Sequence, residues 1–164
     1  MMGINHTITG AIVYLGADLS LGSGGAAPHL VNCLGAAALG SLAPDLDTPK
    51  SSLGRRFLPV SWTLSALIGH RGFSHSLLAC LAVAATAFLL GTSYPPWLAY
   101  GLAFALGYAT HILGDWLTTE GVPLFWPNRR RYRSPLNFRT GGLGEYVFGL
   151  AAGGLLGFWL YRLF

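Results

Sequence analysis

Apolar stretches of near-bilayer length, each ended by a short block of His, Asp or Arg, leave this chain very few folds. The runs fall at about residues 4–21, 29–43, 75–91, 97–117 and 143–163. A helix needs about 20 mainly apolar residues to cross a hydrocarbon core about 30 Å thick. In lipid each backbone N–H and C=O must find its partner within the protein, so runs of this kind become helices. Composition agrees: 52% of residues are hydrophobic, 10% are charged, and the mean hydropathy is +0.51. A soluble domain carries roughly 25% charged residues. The expectation is an all-α, polytopic membrane protein, one domain over residues 1–164. It would have about five transmembrane helices, an interfacial helix and one long cytoplasmic loop.

The stretches between the runs fit that plan. Ser20 to Pro28 is a Gly-rich turn, and Pro44 stops the second run ahead of Asp45-Leu46-Asp47-Thr48-Pro49, read as an extended, turn-rich segment. Phe57 to Ile68, with Trp62 and several leucines, is too short to span and is expected to lie in the interface. Residues 118–142 form the long loop, with Phe125, Trp126, Arg129, Arg130, Arg131, Tyr132, Arg133 and Arg139. A net charge of +4 and a pI near 9.4 would also fit a nucleic-acid binder. The basic residues sit in loops, however, where topology and anionic headgroups account for them, so no nucleic-acid partner is expected. Cys33 and Cys80 fall inside runs and read as small buried side chains, not a disulfide. The N-terminus lacks a basic n-region, so no cleavable signal peptide is expected.

Alternation of five spans tests whether the polar blocks can meet. His6 opens the first span, Asp45 and Asp47 close the second, and His70, Arg71 and His75 precede the third. His111 and Asp115 close the fourth, and Glu145 opens the fifth. All of these fall on one side, and only His29 among the histidines falls on the other. Lys50 and every arginine except Arg162 share the first side, which the positive-inside rule makes cytoplasmic.

His111 and Asp115, four apart on a helix, share a face. Asp45 and Asp47, two apart in an extended segment, would point the same way and repel unless a cation or shared proton relieves them. A capped helix end, a solvated turn or a hydrogen-bonded interfacial histidine would explain any one block alone. Together His6, Asp45, Asp47, His70, His75, His111 and Asp115 exceed the needs of one tetrahedral zinc, so two or more ions are expected, zinc first and manganese next. Such a site generates a metal-bound hydroxide near neutral pH. Arg71 can bind an anion in a bidentate way or anchor topology, and Glu145 is a candidate ligand or proton carrier. Ser74 and Ser76 fit helix capping better than nucleophilic attack.

His6, Gly40-Ser-Leu-Ala-Pro-Asp-Leu-Asp47, Gly69-His-Arg-Gly-Phe-Ser-His-Ser76 and His111-Ile-Leu-Gly-Asp-Trp-Leu-Thr-Thr-Glu-Gly-Val-Pro123 resemble the YdjM-like family of membrane-bound, metal-dependent hydrolases. The likeness covers nearly the whole chain. It implies a multi-pass protein of a prokaryotic inner membrane with hydrolase activity. Thr48 stands where that family pattern leads one to expect His or Asn. Two shorter segments are similar to zinc-dependent phospholipase C and P1 nuclease, which tilts the expected substrate toward phosphoesters. The expectation is therefore hydrolysis of a phospholipid or lipid-linked phosphate, with Arg71 stabilising negative charge and Glu145 handling protons. A metal-dependent deacylase or protease is the second reading, although no His-Glu-x-x-His pair is present. A metal transporter or sensor is the third, although its ligands would usually lie near the midplane.

Overall fold

A computed structural model describes residues 1–21, 27–68 and 72–163, and among these the chain is all-helical, with two isolated β-bridges. Six α-helices follow in order: α1 (Gly3–Leu21), α2 (Ala27–Gly40), α3 (Leu58–Ile68), α4 (Leu77–Ser93), α5 (Pro95–Trp116) and α6 (Leu143–Leu163). Short 3-10 turns occupy Ala43–Asp47, Gly54–Arg56 and Phe73–His75. Each expected span is thus a helix, and the segment expected to lie in the interface forms α3. By length and apolarity alone, one described helix can cross a membrane, Leu143–Leu163. α4 is apolar but has 17 residues, and α2 has 14. α1 and α5 are longer but carry Asn5, His6 and Asp18, and His111 and Asp115.

Small residues decide how closely the bundle packs. A Cβ at Gly40 would overlap the Phe104 carbonyl, and one at Gly107 would overlap the Ala37 carbonyl. These two reciprocal approaches clamp α2 to α5, as small residues do between helices in lipid. α1 lies against α2 and α5, α4 packs on α5, and α6 touches the bundle mainly through α1. Leu150, Tyr161 and Leu143 leave much of α6 exposed, the surface expected of a helix facing lipid. α3 likewise presents Val60, Trp62 and Leu67 outward.

The ends of these helices are set by local chemistry. Ser76 caps α4 by accepting the Ala79 N–H, 3.2 Å away. Pro95 occupies the first turn of α5, where its missing N–H has no cost. The segment holding Asp45 and Asp47 is a 3-10 helix and not the extended strand-like piece expected. Pro44, near its start, favours a helical turn, with Ser51 Oγ donating to the Asp45 carbonyl at 2.8 Å. At three residues per turn, side chains two apart diverge. The two aspartates therefore serve different neighbours.

Candidate metal centre

α2, α4 and α5 bring the ends of three sequence blocks to one point, and α1 completes it from the side. Gly114 makes room for the fourth element. A Cβ there would lie 3.1 Å from His6 Nδ1 and Cε1. The His6 ring stacks on His111 with centroids 3.8 Å apart and planes 16° from parallel. His6, Asp47, His75, His111 and Asp115 are at most 1% exposed, and Asp45, whose side chain is 14% exposed, forms the one opening in this set.

Hydrogen bonds assign the protons of the two central imidazoles. His111 Nδ1 lies 2.7 Å from the Ser41 carbonyl oxygen, which can only accept, so Nδ1 carries the proton. Ser74 Oγ donates to Asp47 Oδ2 and sits 3.1 Å from His75 Nδ1, which therefore donates to it. Asp47 Oδ2 is itself 3.4 Å from that nitrogen. In neutral rings both Nε2 atoms are then left bare, yet they face each other at 3.3 Å. Two lone pairs so placed repel unless a cation or proton stands between them.

The third corner is Asp115 Oδ2, 3.7 Å from His75 Nε2 and 3.8 Å from His111 Nε2. Donors bound at about 2.0–2.1 Å to a tetrahedral zinc sit about 3.3 Å apart, so this triangle is slightly expanded from that size. Asp45 Oδ1, 3.9 Å from His111 Nε2, supplies a fourth oxygen on the exposed side. On its other side Asp115 Oδ1 meets His6 Nε2 at 3.2 Å and the Met1 ammonium at 2.6 Å. Apart from that contact to Asp115, neither ring nitrogen of buried His6 makes a hydrogen bond among the described residues. Such orphaned donors suit a cation, so the residues present fit a divalent metal. Ligand atoms gather as His6, His111 and Asp115, and as Asp45, His75 and His111. With Nδ1 committed to Ser41, His111 can serve only one ion at a time.

Asp47 stands one step behind. It accepts from Thr48 Oγ1 at 2.7 Å and from Ser74, and it holds the His75 ring. Burial pushes its carboxyl up, but hydrogen bonds from His75, Ser74 and Thr48 act the other way and it stays below its ordinary value. Carboxylates in this position orient a ligating histidine. Tyr108 donates to the Ser74 carbonyl and so ties α5 to the turn that carries His75.

Glu145 is 2% exposed but lies outside both groups of ligand atoms. Oε1 accepts the Met2 N–H and Asn5 Nδ2, the latter at 3.2 Å, and Oε2 accepts the Gly141 N–H at 2.8 Å. A Cβ at Gly149 would overlap Asn5 Oδ1, so α6 needs glycine there for α1 to dock. His70 and Arg71 lie outside the described residues. His29, at the far end of α2, packs against Tyr100 with ring centroids 5.5 Å apart. Cys33 and Cys80 are free thiols.

Sequence reasoning gathered His6, Asp45, Asp47, His75, His111 and Asp115, and the structure brings all six together. It missed the Ser41 carbonyl, which no residue type announces. It also passed over Asn5, whose polarity beside His6 in an apolar run was a usable signal.

No solved structure matches the chain. It is 48% identical over 103 residues to the inner membrane protein YdjM of Escherichia coli (strain K12), and equally to that of Shigella flexneri. Those matches cover 61% of this chain and 52% of each relative, about half their length. The protein YvsG of Bacillus subtilis (strain 168), named uncharacterized, is 33% identical over 147 residues, covering 90% of this chain and 82% of that one. The profile of the family described as YdjM inner membrane protein matches residues 1–162, and the chain belongs to that family.

Proposed function

We propose that this chain is a multi-pass, metal-dependent hydrolase of the bacterial inner membrane that cleaves a phosphoester in a phospholipid or lipid-linked phosphate. In this reading α1, α2, α4, α5 and α6 cross the bilayer, with the His/Asp cluster and the N-terminus on the cytoplasmic side. The observation that carries it is the pair of bare Nε2 atoms, His75 and His111, facing each other at 3.3 Å beside buried Asp115. Sealing such groups in an apolar bundle is costly without a compensating cation.

His75, His111 and Asp115 hold the cation, with Asp45 as the ligand nearest the outside. His6 and the second oxygen of Asp115 would offer a place for another ion where the Met1 ammonium, 2.6 Å from that oxygen, gives way. When bound, a divalent ion such as zinc supplies Lewis acidity and lowers the pKa of water. Asp47 and the Ser41 carbonyl keep both imidazoles in the tautomer that presents Nε2. The near-complete burial of the cluster limits bulk water to the Asp45 side. There the Gly54–Arg56 turn, bearing exposed Arg55 and Arg56, packs on the Ala43–Asp47 turn. That local positive charge favours an anionic substrate over a neutral ester. Glu145 acts as a positioning residue, fixing the start of α1 so that His6 reaches Asp115.

The test is metal content of the purified chain by elemental mass spectrometry, followed by turnover of matched phosphodiester, phosphomonoester and acyl-ester lipids. Stoichiometric zinc or manganese with phosphoester cleavage is the expected result. Absence of tight metal after reconstitution would overturn the reading, and acyl-ester cleavage alone would move the chemistry to a carbonyl.

A further inference from the structure

A second feature shares the three helices that build the cluster. Between α2, α4 and α5 lies a cavity of about 510 Å3, bounded by Ala36, Leu39, Ala82, Val83, Trp97 and Phe104 among others. Its volume falls within the roughly 300–1,000 Å3 typical of small-molecule sites. It is an open groove, with Leu39, Ala82, Leu90 and Trp97 exposed along it, and it exists because small side chains, Ala36 and Ala82 among them, stand where larger ones would fill the space. Its floor closes where Gly101 meets Ala87, since a Cβ at Gly101 would lie 2.7 Å from that methyl.

We propose that this groove is a subsite for one acyl chain of the lipid whose polar end meets the His/Asp cluster. The inference rests on the membrane reading above and adds the tail to its substrate. Register on α5 supports it. Trp97, Gly101 and Phe104 line the groove, and the same stripe continues at intervals of three and four through Tyr108, His111 and Asp115. At 1.5 Å rise per residue, Phe104 lies about 10 Å and Gly101 about 15 Å from His111 along the helix. One leaflet of hydrocarbon is about 15 Å thick, so a lipid with its phosphate at the cluster carries its chain to these depths. The chemistry of the wall agrees. The Thr86 hydroxyl is satisfied by the Ala82 carbonyl at 2.8 Å, leaving a lining that is almost wholly hydrocarbon. A chain of methylenes asks for nothing more.

The experiment uses the full chain in phospholipid vesicles doped with a phospholipid bearing a diazirine midway along one acyl chain. After irradiation, labelled residues are mapped by peptide mass spectrometry. Groove residues Val83 and Phe104 are expected to be labelled several-fold more than Leu81 and Leu89, which face outward from α4, and Leu150 of α6. Ala82→Phe and Thr86→Phe, two separate ways to fill the groove from its rim, should each cut groove labelling and spare Leu150. Equal labelling of groove and outward positions would reduce the groove to ordinary lipid contact and overturn the subsite. Label confined to α6 would overturn it by removing α4 and α5 from the bilayer. Labelling requires no turnover, so a protein that binds the chain but cleaves no phosphoester would refute the hydrolase reading alone.

Discussion

The two oxygens of Asp115 face two unlike environments. Oδ2 looks toward His75 and His111, and past them to Asp45, which solvent can reach. Oδ1 looks toward His6, buried on α1, and the partly buried Met1 ammonium. Zinc sites that only hold structure are closed, whereas those that act keep a position open. Under the proposed function the Asp45 flank would be where a substrate gains access, and the His6 flank would be a buried support. One carboxylate joins them, so the flanks share a ligand while differing in exposure.

Variants can break or sharpen this contrast. Asp115→Ala should have the largest effect, removing all tightly bound metal and reducing turnover to background in a protein that still elutes as folded in detergent. Normal metal content would dissolve the whole comparison. His75→Ala and His6→Ala come next and should differ. The first should abolish turnover, and the second should retain an ion at the open flank and lose only the closed one, as read by elemental analysis with chelator time courses. Identical losses in both would mean the flanks are one site. Asp47→Ala should be milder, weakening metal affinity about 10–100-fold in competition with a chelator while stoichiometry at saturation is kept, as for other carboxylates behind a ligating histidine. Smallest should be Gly114→Val, which crowds His6 and costs about 1–3 kcal/mol in denaturant unfolding. It should loosen the closed flank before the open one.

Much of this was legible in the chain. Apolar run lengths gave helices within a few residues of α1, α2, α4, α5 and α6, because in such a sequence the helix is the one way to satisfy the backbone. Alternation of those runs was enough to put His6, Asp45, Asp47, His75, His111 and Asp115 at one end. The division of labour among them was not legible. Asp45 and Asp47 look equivalent until the 3-10 turn sends them apart. Glu145 looks like a further site carboxylate until the Met2 and Gly141 N–H groups are seen to claim it. The contact between Ser41 and His111 belongs to a main-chain oxygen, and its place depends on how Gly40 and Gly107 let two helices touch.

That last contact has a mechanical side. The final carbonyls of a helix lack partners within it, and the one just past α2 is taken by His111. When a cation withdraws electron density at Nε2, the opposite N–H becomes more acidic and grips that oxygen harder. Loading the centre would then tighten the closing turn of α2, and emptying it would let that turn fray. If the centre holds a cation, the helix end would gauge its occupancy, readable as the pace of deuterium uptake at residues 38–41 without any substrate at all.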